Sequence, residues 1–272
     1  MKSGTKPTRT DHRDFDFIQS HNFGSISPTF KDEFFADAGL TMPDQETADN
    51  EFMPPTPPMP FGCTDFASAE LATDLTKLKH NPNDLEAVTH ANALGGYDIR
   101  KSLQAAIALG WFKQFFNITA SGVLDAFDSF RLAQLAGVDV GENRSISWGT
   151  PWFPSWEQAA LQGKSIMMMP TTAELASIST MSWHDSKLDG WTPKNGVAVY
   201  RDKSWQGNLI GDGGFLYFPR EVINAVMGIR GTVAFTATNN PVNSPITINT
   251  TTLEWLISAL QNLIERYIPI TF

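Results

Sequence analysis

The chain predicts an α+β fold, with helices in its first half and strands in its second. Three observations predict it. Apolar residues recur at helical spacing from Cys63 onward, and two glycine-bounded β-rich runs, G-V-A-V-Y (196–200) and G-F-L-Y-F (214–218), lie much later. The composition, 42% hydrophobic and 11% aromatic over 272 residues, supports one large domain with a substantial core.

Residues 1–62 read as an extended N-terminal arm and pre-cysteine loop. They hold scattered phenylalanines and the run M-P-P-T-P-P-M-P at 53–60, whose prolines remove backbone donors and disfavour helix. Such an arm needs a surface to lie on, either its own domain or a partner. The main unit is expected over 63–230. Ala67, Leu71, Leu75 and Leu78 share one helical face. Asp98 is placed to cap a second helix carrying Ile99, Leu103, Ala106 and Ile107, which Gly110 ends. A third helix is expected near 122–136, stopped by Gly137, with Asp125 and Asp128 as a cap and a solvated helix face. S-I-S-W in segment 145–170 reads as a short strand, and Met167, Met168 and Met169 as core filling. Strands are expected over 180–218 and a short helix near 220–228. Residues 231–272 read as one or two strands and then an amphipathic helix opened by the capping box Thr251-Thr252-Leu253-Glu254. That helix either packs on the core or docks on another subunit.

The totals exclude several functions. A net charge of −9 and a pI near 5.0, without a Lys/Arg cluster, argue against nucleic acid. The polar N-terminus has no apolar signal-peptide core, and no window reaches the apolar length of a membrane span, so cytoplasmic synthesis is expected. One cysteine excludes an internal disulfide. No H-x-x-x-H or C-x-x-C spacing calls for a metal, and G-D-G-G (211–214) is no phosphate loop, so no cofactor is expected.

The stretch F-G-C-T-D-F-A-S-A at 61–69 raises the chemical question, because it holds that single cysteine where a helix begins. A thiol is mostly protonated at neutral pH, and a helix N-terminus with an adjacent imidazole lowers its pKa. A lone cysteine is also commonly just a small buried hydrophobe. Of the five histidines, His12 and His21 lie in the arm, and His80 and His90 flank the polar N-P-N-D turn. His184, in S-W-H-D-S-K-L-D-G-W, opens the strand-rich half and is the best candidate base.

In order and spacing these segments resemble the papain-like cysteine peptidases. That family has a helix led by cysteine and a strand opening with histidine, with a Gly-aromatic pair six residues on. An Asn-Ser-Trp segment and a Gly-x-x-Gly-aromatic strand follow. Here Cys63 leads the helix, Gly190-Trp191 follows His184 at the family spacing, Lys203-Ser204-Trp205 stands at Asn-Ser-Trp, and Gly211 to Phe215 stands at the closing motif. Residues 95–110 also look like the family's second helix. The resemblance covers roughly 40–230. It implies a helical half carrying the nucleophile Cys63 and a strand-rich half carrying the general base His184. It also implies Gln45, in P-D-Q, as an oxyanion donor, although 18 positions separate it from Cys63 and 46–60 must loop out. Trp205, Gly62 and Trp183 are expected to line the substrate site. The implied activity is amide hydrolysis, most simply by an endopeptidase acting on protein, peptide or a peptidoglycan crosslink.

Two departures stand out. Lys203 replaces the asparagine that accepts a hydrogen bond from the imidazole, and lysine has no acceptor. Asp202, Ser204 or Asp185 would have to serve instead. The segment after the histidine, D-S-K-L-D, is charged where the family is apolar, so one of its faces is expected to stay in water. An inactive relative, held as a structural component of a large assembly such as a virus or phage particle through its arm and tail helix, is the alternative these departures leave open.

Overall fold

A computed structural model of the chain describes residues 62–91, 98–120, 125–138, 141–203 and 210–240. The expected arm contacts, the 251–267 helix, Gln45, Ser204 and Trp205 lie outside these residues.

Helix α1 (Cys63–Thr76) ends where Lys77 turns left-handed at φ 60°. It is buried on nearly every side because its apolar face is built from Ala67, Ala69, Leu71, Ala72 and Leu75, small enough for neighbours to approach closely. The expected Leu78 falls past the helix end and is exposed. Helix α2 (Pro82–Ala91) and helix α3 (Ile99–Ala108) pack against α1. Asp98 caps α3 as expected, accepting from the Arg100 N–H at 2.9 Å, and Gly110 at φ 75° turns the chain out.

Strand β1 (Gln114–Asn117) was not foreseen; it falls inside the half read as helical. Helix α4 (Ala126–Val138) runs through Gly137 rather than stopping there. Glycine at 137 answers a close approach: a Cβ would lie 2.6 Å from Cγ of Arg144 and 2.9 Å from the Glu142 carbonyl. Strand β2 (Ile146–Pro151), helix α5 (Pro154–Leu161, with proline in its first turn) and helix α6 (Thr172–Ala176) follow. Strand β3 (Trp183–Lys194) and strand β4 (Val197–Lys203) form a hairpin. Its two-residue turn, Asn195-Gly196, has both φ values positive, as the twist of the flanking strands requires. Strand β5 (Phe215–Pro219), helix α7 (Arg220–Met227) and strand β6 (Val233–Thr238) complete the described fold.

The sheet runs β1-β6-β2-β3-β4-β5, every neighbour antiparallel. On one face Trp148, Leu188, Tyr200 and Phe218 pack against α4, α5 and α7 in the larger core. On the other, Val233, Phe235 and Ala237 meet Leu71, Leu75, Ile99 and Leu103. Three sequence expectations are corrected. Asp128 is buried, not solvated, because Arg220 and Arg131 reach its carboxylate. Only Met167 of the methionine run fills the core; Met168 and Met169 are exposed, since 167 points under β5 while the chain leaves the sheet. The charged segment after His184 is buried on both faces, for reasons given below.

Candidate active site

Cys63 is the first residue of α1, with Gly62 ahead of it, so its sulfur stands at the end of the helix where unpaired N–H groups gather. The first turn is pinned from the side: the Ser102 hydroxyl on α3 donates to Asp65 Oδ1 at 2.8 Å. The thiol is in no disulfide and only 4% exposed, yet it belongs to none of the three apolar clusters. The two residues that follow it, Thr64 and Asp65, are buried and polar.

His184 is the second residue of β3, paired with Thr150 of β2. Side chains alternate across a strand. His184, Ser186 and Leu188 therefore point to the larger core, whereas Asp185 and Lys187 point to α1. The imidazole packs edge to face on the Trp152 ring, centroids 4.8 Å apart. Burial lowers the imidazole pKa to about 4, so the ring is neutral at physiological pH. A neutral imidazole can accept a proton from a thiol.

On the α1 face, the charges of β3 and β4 are met by charges on the helix. Lys187 Nζ donates to Asp74 Oδ2 at 2.7 Å and lies 3.5 Å from Glu70 Oε2. Lys203 Nζ donates to the same Glu70 oxygen at 2.9 Å. Asp185 accepts from the Ser147 hydroxyl at 3.0 Å, and burial pushes its carboxyl well above the usual carboxylate range. These partners are why the D-S-K-L-D segment can be buried. Glu70 and Asp74 were the readable signal, two acids four apart on a helix that carries no Lys or Arg to answer them.

The candidate orienting residues separate. Lys203 faces α1 and is committed to Glu70. Asp202 shares the face of His184 but pairs with Leu188, four residues along β3, and is hydrogen-bonded by Ser186. Burial lifts the Asp202 carboxyl to about 7, and its Oδ1 has no hydrogen-bond partner among the described residues. Trp183 is buried at the head of β3. Gly62 immediately precedes the cysteine. Among the described residues no group of three or more His, Cys, Asp or Glu side chains is placed to hold a metal ion, and no helix is long and apolar enough to cross a membrane.

A helix led by cysteine, packed on an antiparallel sheet whose strand opens with histidine, defines the papain-like fold, and the chain has that fold. It is similar to xylellain, a cysteine protease from Xylella fastidiosa, with a TM-score of 0.54 and 14% identity over 88% of this chain and 97% of that one. It also matches procathepsin B S9 from Trypanosoma congolense (TM-score 0.45, 8% identity, 65% of this chain and 68% of that one). Bromelain from Ananas comosus matches at TM-score 0.41 and 11% identity, over 66% of this chain and 89% of that one. No family model matches the chain, and no curated protein does.

Proposed function

We propose that the chain is a cysteine hydrolase that cleaves an amide bond in a protein or peptide. The observation that carries the reading is the placement of its single cysteine. That residue leads a helix packed against the strand that opens with a neutral histidine. In this reading the Cys63 sulfur attacks the scissile carbonyl carbon, and its proton passes to the imidazole of His184. The C–N bond breaks as His184 gives that proton to the leaving nitrogen, leaving a thioester on Cys63. Water then hydrolyses the thioester, His184 again taking and returning the proton. The Cys63 backbone N–H and Gln45 would hold the oxyanion. Asp202 is engaged by Ser186, which leaves Ser204 as the acceptor for the imidazole N–H. Trp205 would cover the ring, and Gly62 and Trp183 would flank the bound peptide. The similarity to a cysteine protease fold supports this reading and lends nothing to a particle component.

Iodoacetamide labelling across pH tests it. The expected result is labelling of Cys63 that persists at mildly acidic pH, loses that persistence in His184→Ala, and parallels cleavage of an unstructured protein that Cys63→Ala abolishes. An ordinary thiol pH profile in the unmodified chain, or cleavage surviving in Cys63→Ala, sinks the reading.

A further inference from the structure

Cys63, Ala67, Glu70 and Asp74 stand at i, i+4, i+7 and i+11 of α1, so they share one stripe of the helix. Glu70 and Asp74 meet Lys187 of β3 and Lys203 of β4, so this is the stripe that looks toward those strands. The front of the helix is also felt by the sheet. Asp185 is the residue after His184, and Asp65 lies two residues past Cys63. Burial above all, then the charges of Asp202 and Asp65, raise the Asp185 carboxyl. Early positions of α1 therefore lie beside early positions of β3, and later positions beside later ones. Helix and strand run the same way.

The spacings along the two elements match. Glu70 lies seven residues past Cys63, about 10 Å along a helix. Lys187 lies three residues past His184, about 10 Å along a strand. Contact between Glu70 and Lys187 at one end thus brings Cys63 level with His184 at the other. Lys187 is built to hold that level. Its Nζ is 2.7 Å from Asp74 and 3.5 Å from Glu70, carboxylates about one helical turn apart, so sliding α1 along β3 in either direction lengthens one of the two contacts. Its side chain is only 4% exposed, so water cannot replace a lost partner. Apolar packing on this stripe cannot set the level. Between Cys63 and Glu70 the stripe offers only Ala67, and the burial of a methyl group is non-directional.

We infer that Lys187 is a positioning residue: by gripping Glu70 and Asp74 it sets where the Cys63 sulfur stands along β3, level with His184. The inference rests on the Cys63–His184 reading for its effect on chemistry, but not for its effect on position. The double variant Lys187→Met/Asp74→Asn removes the grip and keeps the charge balance of the interface. Two measurements compare it with the unmodified full-length chain: the offset of Cys63 from His184 along β3, by crystallography, and the pH profile of Cys63 labelling by iodoacetamide. The expected result is an offset changed by about 1 Å or more and labelling at mildly acidic pH lowered by about tenfold or more, since a misplacement of about 1 Å can cost about a hundredfold. Asp74→Asn alone, at a partly exposed site, removes one side of the grip and should move both measurements less in the same direction; it decides if the double variant does not fold. Ile223→Ala opens a cavity in the core on the other face of the sheet, and should lower stability while leaving the labelling profile unchanged. An unmoved Cys63, a labelling profile unchanged by loss of the grip, or an equal fall in Ile223→Ala overturns the inference. An ordinary thiol profile in the unmodified chain sinks the hydrolase reading instead, and the crystallographic offset then decides the role of Lys187 by itself.

Discussion

Replacing Lys187 with methionine removes one charge from a buried set of four and leaves the side-chain volume nearly unchanged. The set is balanced: Lys187 and Lys203 on the strands, Glu70 and Asp74 on α1. Lys187 and Glu70 have side chains only 4% and 2% exposed, so water cannot replace the lost contacts there. Removing one partner of a buried pair costs about 3–5 kcal/mol, because the remaining charge stays buried. Here Glu70 keeps Lys203 at 2.9 Å, and Asp74, with 22% of its side chain exposed, can rehydrate. Lys187→Met should therefore fall at the low end, about 3 kcal/mol. Adding Asp74→Asn restores the balance to one lysine and one glutamate. The double variant should recover about 1–2 kcal/mol relative to Lys187→Met alone, a coupling of the size seen for residues in contact. Urea denaturation at neutral pH, analysed at constant m, measures both. A single variant losing under about 1 kcal/mol, or a double variant no more stable than the single, refutes the buried-network account.

Asp202→Asn should change stability differently at different pH. The carboxyl is raised to about 7 in the fold against roughly 3.9 in the unfolded chain, so the folded state holds the proton more tightly and loses stability as pH rises from 4 through 7. Asparagine should therefore stabilise by about 4 kcal/mol at pH 8 and have little effect at pH 4, read by urea midpoints at both values. Destabilisation of equal size at both pH values refutes this. The activity should show an acid limb near pH 4 in kcat/KM, because the neutral base His184 is lost as pH falls through its lowered value. Stability should decline over the same window, from the unfolded value near 6.5 down to about 4, so circular dichroism must accompany the rate profile. An acid limb at 6.5 or above contradicts the buried neutral imidazole.

The parts of the fold that were legible depend on near neighbours in the chain. Asp98 caps its helix through a residue two positions on, and Asn195-Gly196 sets its hairpin by its own backbone angles. Cys63 at a helix start and Gly190-Trp191 after His184 could be read the same way. What escaped depends on distant partners. Burial of the D-S-K-L-D segment rests on Lys187 meeting Asp74 across 113 positions. Asp128 reads as a surface residue until Arg220 arrives from 92 positions away. Gly137 looks like a helix stop, and only the packed Arg144 side chain shows that it is a point of close approach. Strand β1 is four residues of Q-F-F-N, too short for a period, and exists because β6 pairs with it.

Lys203 is the residue whose meaning changes most. In sequence it reads as a lesion, a donor where the resemblance asks for an acceptor. In the fold its ammonium lies on the α1 face of β4, bonded to Glu70, two turns down the helix from Cys63. The alternation that sends Lys203 to that face sends Asp202 to the face of His184, where register pairs it with Leu188 and Ser186 takes its carboxylate. Lys203 is therefore committed to Glu70 and does not argue against the imidazole's being a base. The lysine belongs to the charge balance that lets an unusually polar strand lie against an unusually acidic helix. The two departures from the family pattern, lysine for asparagine and charges for an apolar run, are one substitution seen twice: Lys187 and Lys203 are buried because Glu70 and Asp74 answer them. Judged this way, the departures concern how the helix is held on the sheet. They leave the proposed chemistry of Cys63 and His184 untouched.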